Sequence, residues 1–195
     1  KVISRAEAYH GNTLAAMSMT GMGIYYPNFG PRVREIIPAT SVEPKLTGGG
    51  RIDPANIAID RILETIEEEG PETVAAIIAE PVQGAGGIHP PPDGYFQQLR
   101  DVCDRYEILL IDDEVICGFG RTGKWFALEH FGVQPDIVSI AKAITSAYIP
   151  MGASLWSKDV HETIIGTDPT TRFMHAYTNS GHSAAAAVGL RNLQI

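Results

Sequence analysis

Ile108-Leu109-Leu110-Ile111 runs directly into Asp112-Asp113-Glu114-Val115, four apolar residues followed by three carboxylates with no turn residue between them. A continuous apolar run of this length fits a strand covered on both faces, as in a mostly parallel sheet. Val74-Ala75-Ala76-Ile77-Ile78-Ala79 and Ile137-Val138-Ser139-Ile140 have the same character, and Ala153-Ser154-Leu155-Trp156 is a fourth candidate. Helical stretches separate the runs. Pro90-Pro91-Pro92 forces an extended approach, Asp93 is the expected N-cap, and Tyr95, Phe96, Leu99, Val102, Cys103 and Tyr106 recur on one helical face. A second helix is expected after Asp53-Pro54, with Ile59, Ile62, Leu63 and Ile66 inward and a stop at Gly70-Pro71. The alanine-rich stretch from His182 to Ile195 reads as a third. Strand, helix, strand in this order means an α/β fold with right-handed crossovers and functional groups at the carboxyl ends of strands. No repeat or long linker divides the chain. Residues 11–50, rich in Gly, Met and Pro, are expected to be a long irregular segment that could line a site.

Composition removes several classes. The chain has 195 residues, with 15 Lys+Arg against 23 Asp+Glu and a net charge of −8. With 44% hydrophobic and 19% charged residues it has the composition of a folded protein. The acidic balance, without a local basic cluster, argues against a nucleic-acid platform. No window approaches the ~18 uninterrupted apolar residues of a membrane span. Cys103 and Cys117, the only cysteines, sit in apolar stretches and read as reduced thiols of a cytoplasmic protein. The chain opens on Lys1 and stops at Ile195 inside the expected third helix, which reads as an internal piece of a longer protein.

Three strand ends carry the candidate chemistry: Glu80-Pro81-Val82-Gln83-Gly84, the Asp112-Asp113-Glu114 cluster, and Lys142 reached through Ala141. Carboxylates directly after an apolar strand are costly to bury without partners. One alone would be a solvated strand end, but two carboxylate clusters and a lysine at equivalent ends of one sheet point to a site. A lysine beside an apolar wall can also become an amine nucleophile. The rival is Gly118-Phe119-Gly120-Arg121-Thr122-Gly123, which matches the G-x-G-x-x-G of dinucleotide loops. Against it, three carboxylates intervene where a pyrophosphate would sit, and position 143 is Ala where an acidic residue belongs. Gly123-Lys124 is followed by Trp125, so there is no P-loop, and His161-Glu162-Thr163 begins no zinc pair.

Taken together, Tyr9-His10-Gly11, Glu80-Pro81-Val82-Gln83-Gly84, Asp113-Glu114-Val115 with Gly118 to Gly123, Ala141-Lys142, and Thr178 before Ser180-Gly181-His182 resemble the class III (omega-type) aminotransferases. The likeness covers essentially the whole chain in the family's order. It implies the fold-type I architecture of pyridoxal-phosphate enzymes, with residues 1–195 the central part of the cofactor-binding large domain. It implies pyridoxal 5'-phosphate as cofactor, held by Lys142 as an internal Schiff base. Lys142 would then move the proton between substrate and cofactor. Asp113 would pair with the pyridine nitrogen, Val115 and Tyr9 would bracket the ring, and His10 belongs to the same cofactor-binding set. Glu80 would order the polar network near Asp113, and Thr178 would reach the phosphate in the neighbouring subunit of a homodimer.

The substrates implied are small amines or omega-amino acids and keto acids. Ala85 and Ile116 stand where the ornithine and GABA branches carry a glutamate gate and a glutamine, so the resemblance is to the amine:pyruvate branch, with pyruvate the expected acceptor. Asn179 and Ser183 depart from that branch's usual Tyr and Pro. A same-fold aminomutase or racemase would use the same lysine and aspartate, and a dinucleotide-binding module would use neither. Asp112 is expected to be the more exposed neighbour of Asp113, and Lys124 to point to solvent.

Overall fold

The apolar runs meet in one sheet. The computed structural model describes residues 1–39, 54–166, 168–170 and 172–195. Among these, β1 (Val2–Arg5), β2 (Ile36–Ala39), β3 (Ala76–Ala79), β4 (Leu109–Asp113), β5 (Ile137–Ile140) and β6 (Ala153–Trp156) lie in the order β2-β1-β3-β4-β5-β6. The first five run parallel, and β6 is antiparallel to β5. All four residues of β3 are buried, as an unbroken apolar run requires. The four residues of the β6 run are exposed in this part of the protein.

Five helices accompany the sheet: α1 (Leu14–Met19), α2 (Pro54–Glu69), α3 (Tyr95–Tyr106), α4 (Lys158–Ile165) and α5 (Ser183–Leu193). The core lies between the sheet and α2 and α3, where Ile3, Ile77 and Leu110 meet Ile62, Ile66, Phe96 and Leu99. Each such side chain contributes roughly 1.5–3 kcal/mol by leaving water. Phe96 stacks on Phe131 at 5.0 Å between centroids, which ties α3 to the chain beyond β4. None of the described helices is long and apolar enough to cross a membrane.

Local punctuation differs from expectation in two places. The N-cap of α3 is Gly94, in the left-handed region at φ 77, with no side-chain cap from Asp93. The chain turns sharply at Asp93-Gly94 after the three prolines, and glycine accepts that backbone without a Cβ penalty. Residues 11–39 are more regular than their composition suggests. Thr13 caps α1 by accepting from the Ala16 N–H, a 3₁₀ helix covers Gly23–Asn28, and β2 adds a strand. The rest of the 11–50 segment, from 40, lies outside the described residues. Finally, α5 runs over Ser183–Leu193, with His182 as its N-cap accepting from the Ala185 N–H.

The topology puts the candidate residues on one rim. From β1 the chain moves outward to β2, then returns past β1 to β3, so the crossovers diverge at the gap between β1 and β3. Crevices at such a switch point, beyond the carboxyl ends of the strands, are where open α/β sheets bind ligands. Those ends lead in spatial order to Tyr9 and His10, Glu80, Asp113 and Lys142.

Candidate active site

Asp113 is the last residue of β4, and strand alternation sets its face. Leu110 and Asp112 point toward the α2 and α3 side, leaving Asp113 to the other. Its side chain is 7% exposed. Oδ2 lies 2.7 Å from His10 Nδ1, and Oδ1 accepts from the Val115 N–H at 3.1 Å. A carboxylate can only accept, so His10 Nδ1 carries the hydrogen. The His10 ring is itself sealed from solvent, and its backbone N–H donates to Thr20 Oγ1 at 3.1 Å, which fixes the ring's approach.

Glu80 performs the same service one strand away. It is buried, with Oε1 accepting from the Tyr9 N–H at 3.0 Å and Oε2 from the Gly84 N–H at 2.9 Å. Behind it Arg5 joins the ends of β1 and β3, donating from Nη1 to the Glu80 carbonyl and from Nη2 to Gln83 Oε1, each at 3.2 Å. The Arg5 guanidinium lies 4.8 Å from the Tyr95 ring centroid, a cation–π contact that offsets part of its desolvation. The Tyr9 ring is braced by Tyr25 at 5.7 Å, and its hydroxyl donates to Asn12 Oδ1 at 2.8 Å. Tyr9, His10, Glu80, Asp113 and Val115 therefore form one hydrogen-bonded corner.

Lys142 stands beside this corner on the next strand. Asp113 pairs with Ser139 of β5, and Lys142 follows that strand through Ala141, opening a 3₁₀ helix over Lys142–Thr145. Its φ of 47 is left-handed, a backbone that costs a non-glycine residue on the order of 1–3 kcal/mol, and its side chain is exposed. Thr178 lies in an exposed turn closed by the Ser180 N–H to the Tyr177 carbonyl, and the structure does not bring it into the Asp113 corner. The glycine stretch also resolves. Phe119 donates to the Trp125 carbonyl and Gly120 to that of Lys124, so residues 118–125 close on themselves instead of opening a helix for a pyrophosphate. Lys124 is exposed on that turn, as expected.

Asp112 corrects the expectation of exposure: it is 2% exposed and lies under the sheet with Glu114, which is fully buried. Burial and the neighbouring charges of Glu114 and Asp113 push its carboxyl well above the usual range. Burial likewise drives the thiols of Cys103 and Cys117 upward, which makes both poor nucleophiles. The sequence pattern did not single out Arg5 or Thr20, nor the bond from His10 to Asp113. β1 is too short to read as a strand, and its pairing with β3 spans more than seventy residues.

A mostly parallel six-stranded sheet with flanking helices is the architecture of the fold-type I pyridoxal-phosphate enzymes. The chain belongs to the class III aminotransferases, whose family model matches residues 1–195. It is 45% identical to a probable aminotransferase of Mycobacterium tuberculosis, over 100% of this chain and 42% of that protein. It is 41% identical to a putrescine–pyruvate aminotransferase of Pseudomonas aeruginosa, over 100% of this chain and 42% of that one. The crystal structure of an (S)-enantioselective omega-transaminase from Thermomicrobium roseum superposes with a TM-score of 0.92 at 48% identity, covering 100% of this chain and 43% of its own. The chain thus spans about two-fifths of the length of these relatives. Members of the family are pyridoxal-phosphate-dependent.

Proposed function

We propose that the complete protein is a transaminase that moves an amino group from an amine or omega-amino acid to a keto acid, with pyruvate the preferred acceptor. The observation that carries it is the Asp113 carboxylate, fixed by His10 at 2.7 Å beside the strand that leads to Lys142. These residues fit pyridoxal phosphate by their chemistry: a buried anion for a pyridinium, an aromatic ring alongside, and a primary amine within one strand. When bound, that cofactor supplies an electron-withdrawing ring that takes up the electron pair released on breaking the substrate Cα–H bond.

The chain's residues divide the remaining work. Asp113 would accept a hydrogen bond from the ring nitrogen and keep the proton there, with His10 holding the carboxylate for it. Lys142 would offer Nζ, first as the covalent tether and then as the base that moves the Cα proton from substrate to cofactor. Tyr9 and Val115 would bracket the ring, and Glu80 fixes Tyr9 through its backbone N–H. Thr178, on an exposed turn, would serve the phosphate held by a second copy, which would make the active unit a homodimer. The two unreactive thiols suit a cytoplasmic setting.

Ala85 and Ile116 support pyruvate, as does the likeness to the putrescine–pyruvate enzyme. The test compares initial rates with one amine donor and pyruvate or 2-oxoglutarate at equal concentration. Pyruvate is expected to be faster, and a clear reversal overturns the acceptor assignment. Amine turnover that needs no keto acid would instead identify an aminomutase or racemase.

A further inference from the structure

Beneath the sheet, on the face away from Asp113, Asp112 and Glu114 stand two residues apart on the same side of the chain. Among the described residues, Asp112 Oδ1 and Oδ2 and Glu114 Oε2 are sealed from solvent without a hydrogen-bond partner, and the two side chains are close enough to interact electrostatically. Glu114 Oε1 is already committed, accepting from the Leu128 N–H at 2.9 Å. We propose that Asp112 and Glu114 hold one proton between them, and that this buried acid pair positions the end of β4 from which Asp113 projects.

Two neighbouring ionised carboxylates sealed from solvent repel each other at high cost, so one takes up a proton. The backbone donors facing Glu114 stabilise its charge, whereas Asp112 has none, so the proton belongs to Asp112. Asp112 then donates to Glu114 Oε2, and the pair carries one negative charge in place of two. Burial, Glu114 and Asp113 together raise the Asp112 carboxyl to about 9. The groups around the pair do not supply a neutralising cation. Glu129 and Asp136 line the crevice over Asp112, from the 3₁₀ helix and the approach to β5. Asp113 precedes Glu114, Cys117 follows it, and Glu80 faces from the end of β3. From α3, Arg100 is engaged with Asp136 and Asp104, and Tyr95 lies against Arg5 of β1.

The geometry makes the pair a positioning device. Glu114 links three pieces of chain: its side chain holds Leu128, its carbonyl accepts from the Gly118 N–H at 2.8 Å, and its N–H donates to Ser139 at 2.9 Å. Ser139 is the β5 residue that pairs with Asp113, three positions before Lys142. The spacing of the anion and the amine is thereby set from the opposite face of the sheet.

The proton itself can be read without any cofactor, so this inference and the proposed activity can fail separately. In the complete cofactor-free protein at neutral pH, infrared spectroscopy is expected to show a protonated-carboxyl C=O band that Asp112→Asn removes and Asp113→Asn leaves. Absence of the band, or its survival in Asp112→Asn, overturns the shared proton. Its release also has a sign. Folding raises the Asp112 pKa, so the folded state binds the proton more tightly than the unfolded chain. Stability therefore falls as pH rises from the unfolded carboxylate range, and the fall ends near the folded value. The ratio of parent to Asp112→Asn unfolding constants should then grow by up to about tenfold per pH unit across that window. A pH-independent ratio overturns the assignment. For positioning, Asp112→Leu, which cannot donate to Glu114, should shift the pH midpoint of the bound cofactor's absorbance change in the holoenzyme, and Asp112→Asn should restore it. An unshifted midpoint in Asp112→Leu rejects the positioning role while leaving the proton in place.

Discussion

Asp113 and Lys142 leave adjacent strands, yet the first is buried and gripped by His10 and the Val115 N–H, while the second is exposed on a left-handed backbone. The contrast extends outward. Behind Asp113 lie Glu80, Arg5 and Gln83 in a closed set of hydrogen bonds, whereas past Lys142 come the exposed edge strand β6 and the exposed turn with Thr178. The difference matches two chemical tasks. An electrostatic partner works best when it is fixed before the reaction, because nothing then has to reorganise. Under the proposed function, the amine would have to move to carry a proton from substrate to cofactor, and a flexible four-carbon stem would allow it.

Four substitutions in the complete protein put that contrast at risk. Lys142→Ala should lower turnover by about 10⁴-fold or more and remove the cofactor's covalent attachment, seen by borohydride trapping and mass spectrometry. Normal turnover in this variant, or trapping at Lys124, would end the assignment of the mobile side. Asp113→Asn should retain cofactor but slow the reaction by roughly 10²–10³-fold, or about 3–4 kcal/mol, the loss typical of one preorganised electrostatic contact. His10→Phe should cost about 3 kcal/mol in transition-state stabilisation, because it deprives a buried carboxylate of its main partner. Its signature is a fall in kcat with KM nearly constant. If His10→Phe matches the parent, Asp113 is held by the sheet and the fixed side owes nothing to the histidine.

Thr178→Ala sharpens the comparison at the smallest scale. Cofactor retention should weaken by about 1.5 kcal/mol, measured by dialysis and absorbance. Mixed with Lys142→Ala subunits, it should regain one complete site per hybrid, since the chain with intact Lys142 is served by the chain with intact Thr178. Proven hybrids with no recovered activity would return Thr178 to its own subunit.

Much of the rigid half was legible in the residues, and the reason is periodicity. The runs at 74–79, 108–111 and 137–140 are unbroken because both faces are covered, so the strand ends and their carboxylates could be located. Asp112 was misjudged because β4 continues through Asp113, and alternation carries Asp112 under α3 when charge alone suggested solvent. The clamp of Arg5, Gln83 and Glu80 left no local pattern, since its members come from two strands far apart in sequence. Asp93 looked like a cap, but the left-handed turn at Gly94 took the position.

That long-range clamp bears on how the protein reaches its native state. The bonds from Arg5 and Tyr9 to Glu80 join residues 75 and 71 apart, and the His10–Asp113 bond joins residues 103 apart. Contacts of such separation pay their loop-closure entropy before they return any stabilisation, so they form slowly compared with α3 and its neighbouring strands. The anion-holding corner is therefore expected to assemble late. After dilution from denaturant, far-ultraviolet dichroism should recover ahead of cofactor binding. A chain caught in that interval would be nearly folded in outline yet chemically silent.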